Sequence, residues 1–270
     1  MCVFGNLARI KAQEVGKSKL GMDVLIWLSH SERPLKANEL CSARGVEIGT
    51  TDLNIRNIPA METLLECSLG LVTVEASTCT INLIHHTLRE YLSANADLFH
   101  STHALIAEAC LTYLNFQCIR DLSPVRHGLR LETPLLEYAS CYWGTHAARE
   151  ITEEGNMLAL KLLDGLDRHI SSRILLTRNG DTWGRELYRS GSTRFAGLHG
   201  AAYFGLAETA VALLNMRKWD LGATDVAGNT AILWAARNGH RVVLEALLEQ
   251  EGATPNTADQ EGLTPLSLAE

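Results

Sequence analysis

The chain has 270 residues, a formal net charge of −7 at pH 7, 46 % hydrophobic and 20 % charged residues. This is globular composition, which excludes disordered and fibrous classes, and its acidic balance argues against a large nucleic-acid footprint, which needs clustered Lys and Arg. The start, MCVFGNLARIKAQE, turns polar too early to read as a secretory leader, and an apolar run such as VLIWL at 24–28 is far too short to span a bilayer. Seven cysteines, an odd number with no C-x-x-C pair, read as free thiols of a reducing cytosol. Cys110, Cys118 and Cys141 lack the short ligand spacing of structural zinc.

Residues 1–20 are expected to form a tail. They contain Gly16-Lys17-Ser18, the last three letters of a phosphate-binding loop. That loop needs an earlier glycine, whose neighbouring amides wrap the phosphates, and a buried strand before it. The position five residues before Gly16 is Lys11, and RIKAQEV is polar and helical. A solvated turn is the expectation, with an aberrant P-loop NTPase as the alternative.

Residues 21–99 alternate helices with one hairpin. MDVLIWLSH (22–30), PLKANELCSARG (34–45) and IPAMETLLECSLG (58–70) read as helices, the last opened by Pro59 and closed by Gly70. LVTVEASTCTINLIH (71–85) alternates around a polar centre, as a β-hairpin does, and HTLREYLSA (86–94) returns to helix. Three helices and a hairpin make a winged-helix pattern. Its third helix holds Glu62 and Glu66 and no Lys or Arg, and across 21–99 five Lys and Arg face ten Asp and Glu. A duplex-reading helix needs basic side chains, so a nucleic-acid binder is only an alternative reading. His85 and His86 are adjacent and not one turn apart, which rules out the H-E-x-x-H arrangement. They read as junction residues, with His86 packed. His100 and His103 read as a surface pair.

Residues 100–190 hold three amphipathic stretches, 101–116, 134–150 and 156–170, and read as a helical linker domain. RNGDTWGRELYRSGST (178–193) reads as a polar connection to the C-terminal segment.

From 191 to 270 the sequence repeats itself with a period of 34. Gly205 recurs as Gly239 and Leu213-Leu214 as Leu247-Leu248. Asp225, Gly228, Thr230 and Ala235 recur as Asp259, Gly262, Thr264 and Ala269. Such a period marks stacked units that cannot bury their faces singly. Within a unit, Asp225 to Gly228 is a turn, Thr230 an N-cap, Gly239 a helix stop, and Val242, Val243, Ala246, Leu247 and Leu248 an apolar face. GNTAILWAARNGH and EGLTPLSLAE resemble the ankyrin repeat. The first copy, FAGLHGAAYFGLAE, departs from it at Ala196, Gly197 and Leu206, and the second has Leu233 where the motif has His.

VLIWLSHSERPLKANELCSARGVEIG, GLVTVEASTCTINLIHHTLREYL and LLEYASCYWGTHA resemble the region after the nucleotide-binding module in fungal NACHT–ankyrin proteins. Those are NLR-like STAND proteins, whose winged helix is shared with GPI inositol-deacylase-like chains. In that family a NACHT module precedes the winged helix. Only about twenty residues precede it here, so that module is expected to be missing. No G-x-S-x-G is present, so lipase chemistry does not follow from the resemblance.

The fold expected is mainly α: a winged-helix domain, a helical linker and an ankyrin-repeat solenoid of about two and a half repeats. The function expected is non-catalytic, cytoplasmic protein–protein recognition, with no cofactor, metal, nucleic acid, membrane or small-molecule substrate. The ankyrin resemblance implies a groove lined by Tyr203, Phe204, Val226, Ala227, Asn229, Trp234, Arg237 and Asn238, with Gln260, Glu261 and Leu263 at the next tip. Trp, Tyr and Arg are the types that dominate binding hot spots.

Overall fold

The computed structural model describes residues 3–95, 98–99, 101–122, 133–178, 192–216 and 219–268. The apolar run at 24–28 lies inside helix α2 (Val15–His30), where Val24, Leu25, Ile26, Trp27 and Leu28 are all buried. A helix apolar on every side must be covered on every side. The cover comes from α1 (Val3–Lys11), α3 (Ala37–Gly45), α4 (Met61–Cys67), α5 (His86–Ala94) and a three-stranded antiparallel sheet. The sheet runs in the order β1 (Leu35–Lys36), β3 (Thr80–Leu83), β2 (Val72–Glu75). Ile81 pairs with Leu35 on one side and Val74 on the other.

Two expectations for this part need correction. Residues 3–11 are not a tail: Leu7 and Ile10, three apart on one helical face, are buried in the same core. Gln13 ties the end of α1 to the Cys67 carbonyl at 2.9 Å. The segment 34–45 is not one helix, because its first residues form β1. Leu35 is buried against β3, and the Glu39 carboxylate accepts from the Lys36 amide at 2.8 Å and starts α3 at Ala37.

Gly16, Lys17 and Ser18 form the first turn of α2 and follow helix α1, with Lys17 exposed. A strand–loop–helix phosphate cradle is therefore not formed there. On α4, Glu62, Thr63 and Glu66 point outward and give that helix an acidic face. His85 caps α5 by accepting from the Thr87 amide at 3.3 Å, and His86 stacks on it at 4.4 Å. His86 is exposed, not packed.

The spacer is built around α6 (Thr102–Leu114), buried on nearly all faces by α8 (Leu136–Arg149), α9 (Glu153–Leu163) and the short α7 (Gln117–Arg120). Helix α10 (Ile170–Arg178) packs on α8. Most of the polar connection expected over 178–193 lies outside the described residues. Cys110 is fully buried in α6, and burial pushes its thiol up. Burial and the Asp52 carboxylate push Cys118 up to about 11.

The α2–β1 loop fastens the winged-helix unit to the spacer. The Glu32 carboxylate pairs with Arg149, and Arg33, held bidentately by Glu39, lies 5.3 Å over the Tyr138 ring. The Glu32 amide donates to the Tyr138 hydroxyl at 3.2 Å, and that hydroxyl shares a hydrogen bond with His146 Nε2 at 2.9 Å. His146 Nδ1 in turn shares a hydrogen bond with His103 Nδ1, also at 2.9 Å, so one of the two nitrogens carries the proton. Protonating both imidazoles would set two N–H groups against each other at that contact. His103 is thus half-buried in a junction and not a surface residue.

Burial, reinforced by His103, Arg149 and His30, pushes the fully buried His146 down to about 3. The unfolded chain protonates histidine near 6.5. Stability from this ring is therefore complete above pH 6.5 and is lost as pH falls from 6.5 towards 3. Urea titration of His146→Gln should show about 2 kcal/mol less of the stability loss between pH 7.5 and pH 5 than the parent protein. An identical pH slope in the two proteins would place the acid sensitivity elsewhere.

Beyond the spacer, α11 (Gly197–Phe204) and α12 (Ala207–Asn215) form one antiparallel pair, α13 (Ala231–Arg237) and α14 (Arg241–Leu248) the next. The pair α8–α9 lies against α11–α12 much as α11–α12 lies against α13–α14. Thr209 donates to Asn156 across that boundary at 2.7 Å, and Phe204 packs on Trp143 at 5.0 Å. One apolar cluster consequently runs from Leu7 to Leu247.

Candidate protein-interaction surface

Each repeat turn is organised by an aspartate. Asp225 Oδ1 accepts from the Ala227 and Asn229 amides at 2.8 and 2.9 Å, and Asp225 exchanges backbone bonds with Asn229 and Gly228. Asp259 does the same 34 residues later, with Glu261 and Leu263 at 2.9 Å each. Gly228 and Gly262 both sit at φ 82°, the left-handed conformation that a side chain disfavours. Thr230 then caps α13 by accepting from the Leu233 amide.

The first copy solves its start differently. His199 Nδ1 accepts from the Ala196 amide at 3.2 Å, and Nε2 donates to the Ala223 and Asn229 carbonyls at 3.1 Å. Burial is the leading cause that lowers its pKa, opposed by Asp225. His240 links the second repeat to the first through the Tyr203 carbonyl at 3.1 Å.

The structure divides the eight expected groove residues. Val226, Ala227, Asn229, Trp234 and Phe204 are 2–8 % exposed and belong to the stack, not to its surface. Trp234 donates its indole N–H to Asp225 Oδ2 at 2.8 Å and meets Phe195 and Tyr203 edge-on at 5.8 and 5.3 Å. Its ring is thus consumed between repeats, since an indole is stable in a core only when its N–H finds a partner. Phe204 turns towards α8. Arg237 and Asn238 are exposed and Tyr203 is half-buried. Arg237 lies 5.5 Å over the Trp234 ring and binds Asp259 at 2.8 Å. At the next tip Gln260 and Glu261 are exposed and Leu263 is partly covered. Gln260 also donates to the Val226 carbonyl at 3.0 Å.

Residues 7–106 match the family model for the GPI inositol-deacylase, winged helix domain, and residues 198–270 match that for ankyrin repeats, in three copies. The chain carries a winged helix and ankyrin repeats. The winged-helix match begins inside α1, in keeping with the packing of Leu7 and Ile10. No curated protein matches the chain.

Ankyrin repeats are non-catalytic interaction modules, and their presence points to protein partners. Among the described residues no group of three or more His, Cys, Asp or Glu is placed to hold a metal ion, and no helix is long and apolar enough to cross a membrane. Within the ankyrin repeats, sequence reasoning recognised Asp225 and Asp259 as a repeating pair. It did not recognise Asp225 as the acceptor for Trp234 or His199 as the first repeat's cap.

Proposed function

We propose that this chain is a non-catalytic adaptor that recognises a protein partner through its ankyrin face. It corresponds to the part of a fungal NLR-like, NACHT-associated STAND sensor that follows the nucleotide-binding module. Repeats over about 191–270 engage the partner. A winged helix over about 21–99 and a helical spacer over about 100–190 carry the event onward in the cytoplasm, without cofactor, nucleic acid, membrane or small-molecule substrate.

The observation that carries this reading is the division of side chains in the stack. The apolar framework is spent on packing, while Arg237 and Asn238 stay exposed at the repeat position that Tyr203 and Phe204 occupy one unit earlier. Arg and Tyr at neighbouring units make a recognition surface of hot-spot types. The acidic outer face of α4 and the helical setting of Gly16–Ser18 favour it over nucleic-acid and nucleotide chemistry.

Affinity capture with the full chain and with Arg237→Ala/Asn238→Ala tests it. Both positions are exposed, so the variant should lose no more than about 1 kcal/mol of stability. It should nevertheless lose most of the protein that wild type captures and cross-links at this face. Equal capture by both proteins removes the surface from the proposal. Saturable ATP binding that disappears in Lys17→Ala would replace the adaptor reading with a nucleotide hydrolase.

A further inference from the structure

A cleft of about 580 Å³ opens where α2 and α5 of the winged helix meet α6 and α8 of the spacer, and no apolar side chain lines it. Ligand pockets are ordinarily lined mostly by apolar groups. Polar and charged side chains suit a polar or charged ligand, and the balance of charge gives its sign. Arg89 and Arg149 stand against one lining carboxylate, Glu32. Neither guanidinium is used up. Arg89 gives Nε and one Nη to the Ser29 and Ser31 carbonyls, at 3.3 and 2.8 Å, and Arg149 pairs with Glu32, while each carries five N–H donors. Both arginines are exposed.

Two histidines complete the cationic side. His30 and His103 meet edge to face with ring centroids 5.4 Å apart. His30 Nδ1 contacts the Ile26 carbonyl at 3.2 Å and Ser29 Oγ at 2.8 Å, which places its proton on Nδ1 and leaves Nε2 a lone pair. His103 differs, since its Nδ1 is engaged with His146 Nδ1 at 2.9 Å.

We propose that this cleft binds a free phosphate-class dianion between Arg89 and Arg149. The two arginines supply paired charge-assisted hydrogen bonds, the geometry suited to tetrahedral oxyanions. Binding is coupled to proton uptake, and the hydrogen bonds say where the proton goes. Burial lowers His30, against the hydrogen bond to the Ile26 carbonyl, and the positive charges of Arg89 and Arg149 lower it further. Burial, Arg149 and His30 lower His103, against an opposing pull from Glu32 and Glu150. A dianion reverses the sign of the field at both rings. His30 can accept a proton on Nε2 without breaking a bond. On His103, Nδ1 is already engaged with His146, so a proton there requires His146 Nδ1 to be the acceptor. His30 is therefore assigned as the proton acceptor.

Isothermal titration of the full chain with sodium sulfate tests this, because sulfate stays dianionic while histidine titrates. Inorganic phosphate serves as the second probe. One saturable site is expected, about tenfold tighter at pH 6.0 than at pH 7.5. Titration in two buffers of different ionisation enthalpy should show net proton uptake. Arg89→Gln, which leaves the Glu32–Arg149 pair intact, should weaken binding about tenfold, and Arg89→Gln/Arg149→Gln should abolish it. His30→Gln should still bind sulfate at pH 7.5 but lose the pH dependence. Three results overturn the proposal: no saturation at millimolar sulfate or phosphate, unchanged affinity in a folded double arginine variant, or capture only by phosphatidic acid vesicles.

Discussion

Gly144→Ala is expected to destabilise the protein by about 2 kcal/mol, although alanine is the better helix former. Gly144 lies in the middle of α8, where alanine alone would add about 1 kcal/mol. The neighbour decides the sign. A Cβ at this position would stand 2.1 Å from Phe204 Cγ and 2.4 and 2.5 Å from its two Cδ atoms. Those atoms are the root of the ring, not its far end, so the phenyl group cannot swing clear. Trp143 and Tyr203, at 5.0 and 4.9 Å, hold it from other sides. Relief requires α8 and α11 to separate, with loss of packing along the spacer–repeat boundary. Phe204→Ala alone should cost about 3–4 kcal/mol. In that background Gly144→Ala should become neutral or favourable, a coupling above about 1 kcal/mol in a urea double-mutant cycle. A gain of stability from Gly144→Ala in the wild-type background would mean that the two helices do not meet in this contact.

Asp225→Ala should be the most damaging single change in the repeats, at about 3–4 kcal/mol. The carboxylate is 1 % exposed and receives the Ala227 and Asn229 amides and the Trp234 indole N–H. Removing it strands three buried donors at once, and each stranded donor costs about 1–3 kcal/mol before relaxation. Asp225→Asn keeps one acceptor oxygen but turns an NH₂ group towards a donor, so it should fall between wild type and the alanine variant. Asp259→Ala is the internal control. The same turn is closed there by the same bonds, yet its third donor is Arg237, which water can serve instead. Two amides are still stranded, so it should cost about 2 kcal/mol, less than Asp225→Ala. Equal losses at the two sites in equilibrium denaturation would contradict the assignment of the Trp234 bond.

The repeats were readable because their physics is local and periodic. Turn, cap, small pair and helix stop lie within one unit and return 34 residues later. The wing was readable for a similar reason, since alternation around EAST is a nearest-neighbour signal. Elements that depend on distant partners were not. Leu35 and Lys36 look like the start of a helix, and only Ile81 and Thr80, far along the chain, make them a strand. Leu7 and Ile10 offer too short a stripe to announce a core helix. Trp234 has the composition of a hot spot, but its acceptor lies nine residues earlier and its ring partners belong to the preceding unit. The junction histidines come from α2, α6 and α8, and nothing in their spacing brings them together.

The seating of α8–α9 beneath the first repeat has a mechanical consequence. Arg237 lies over Trp234, and an unbroken row of ring contacts leads on through Tyr203 and Phe204 to Trp143 of the spacer. A displacement of the repeats would therefore be passed to α8 by direct side-chain contact.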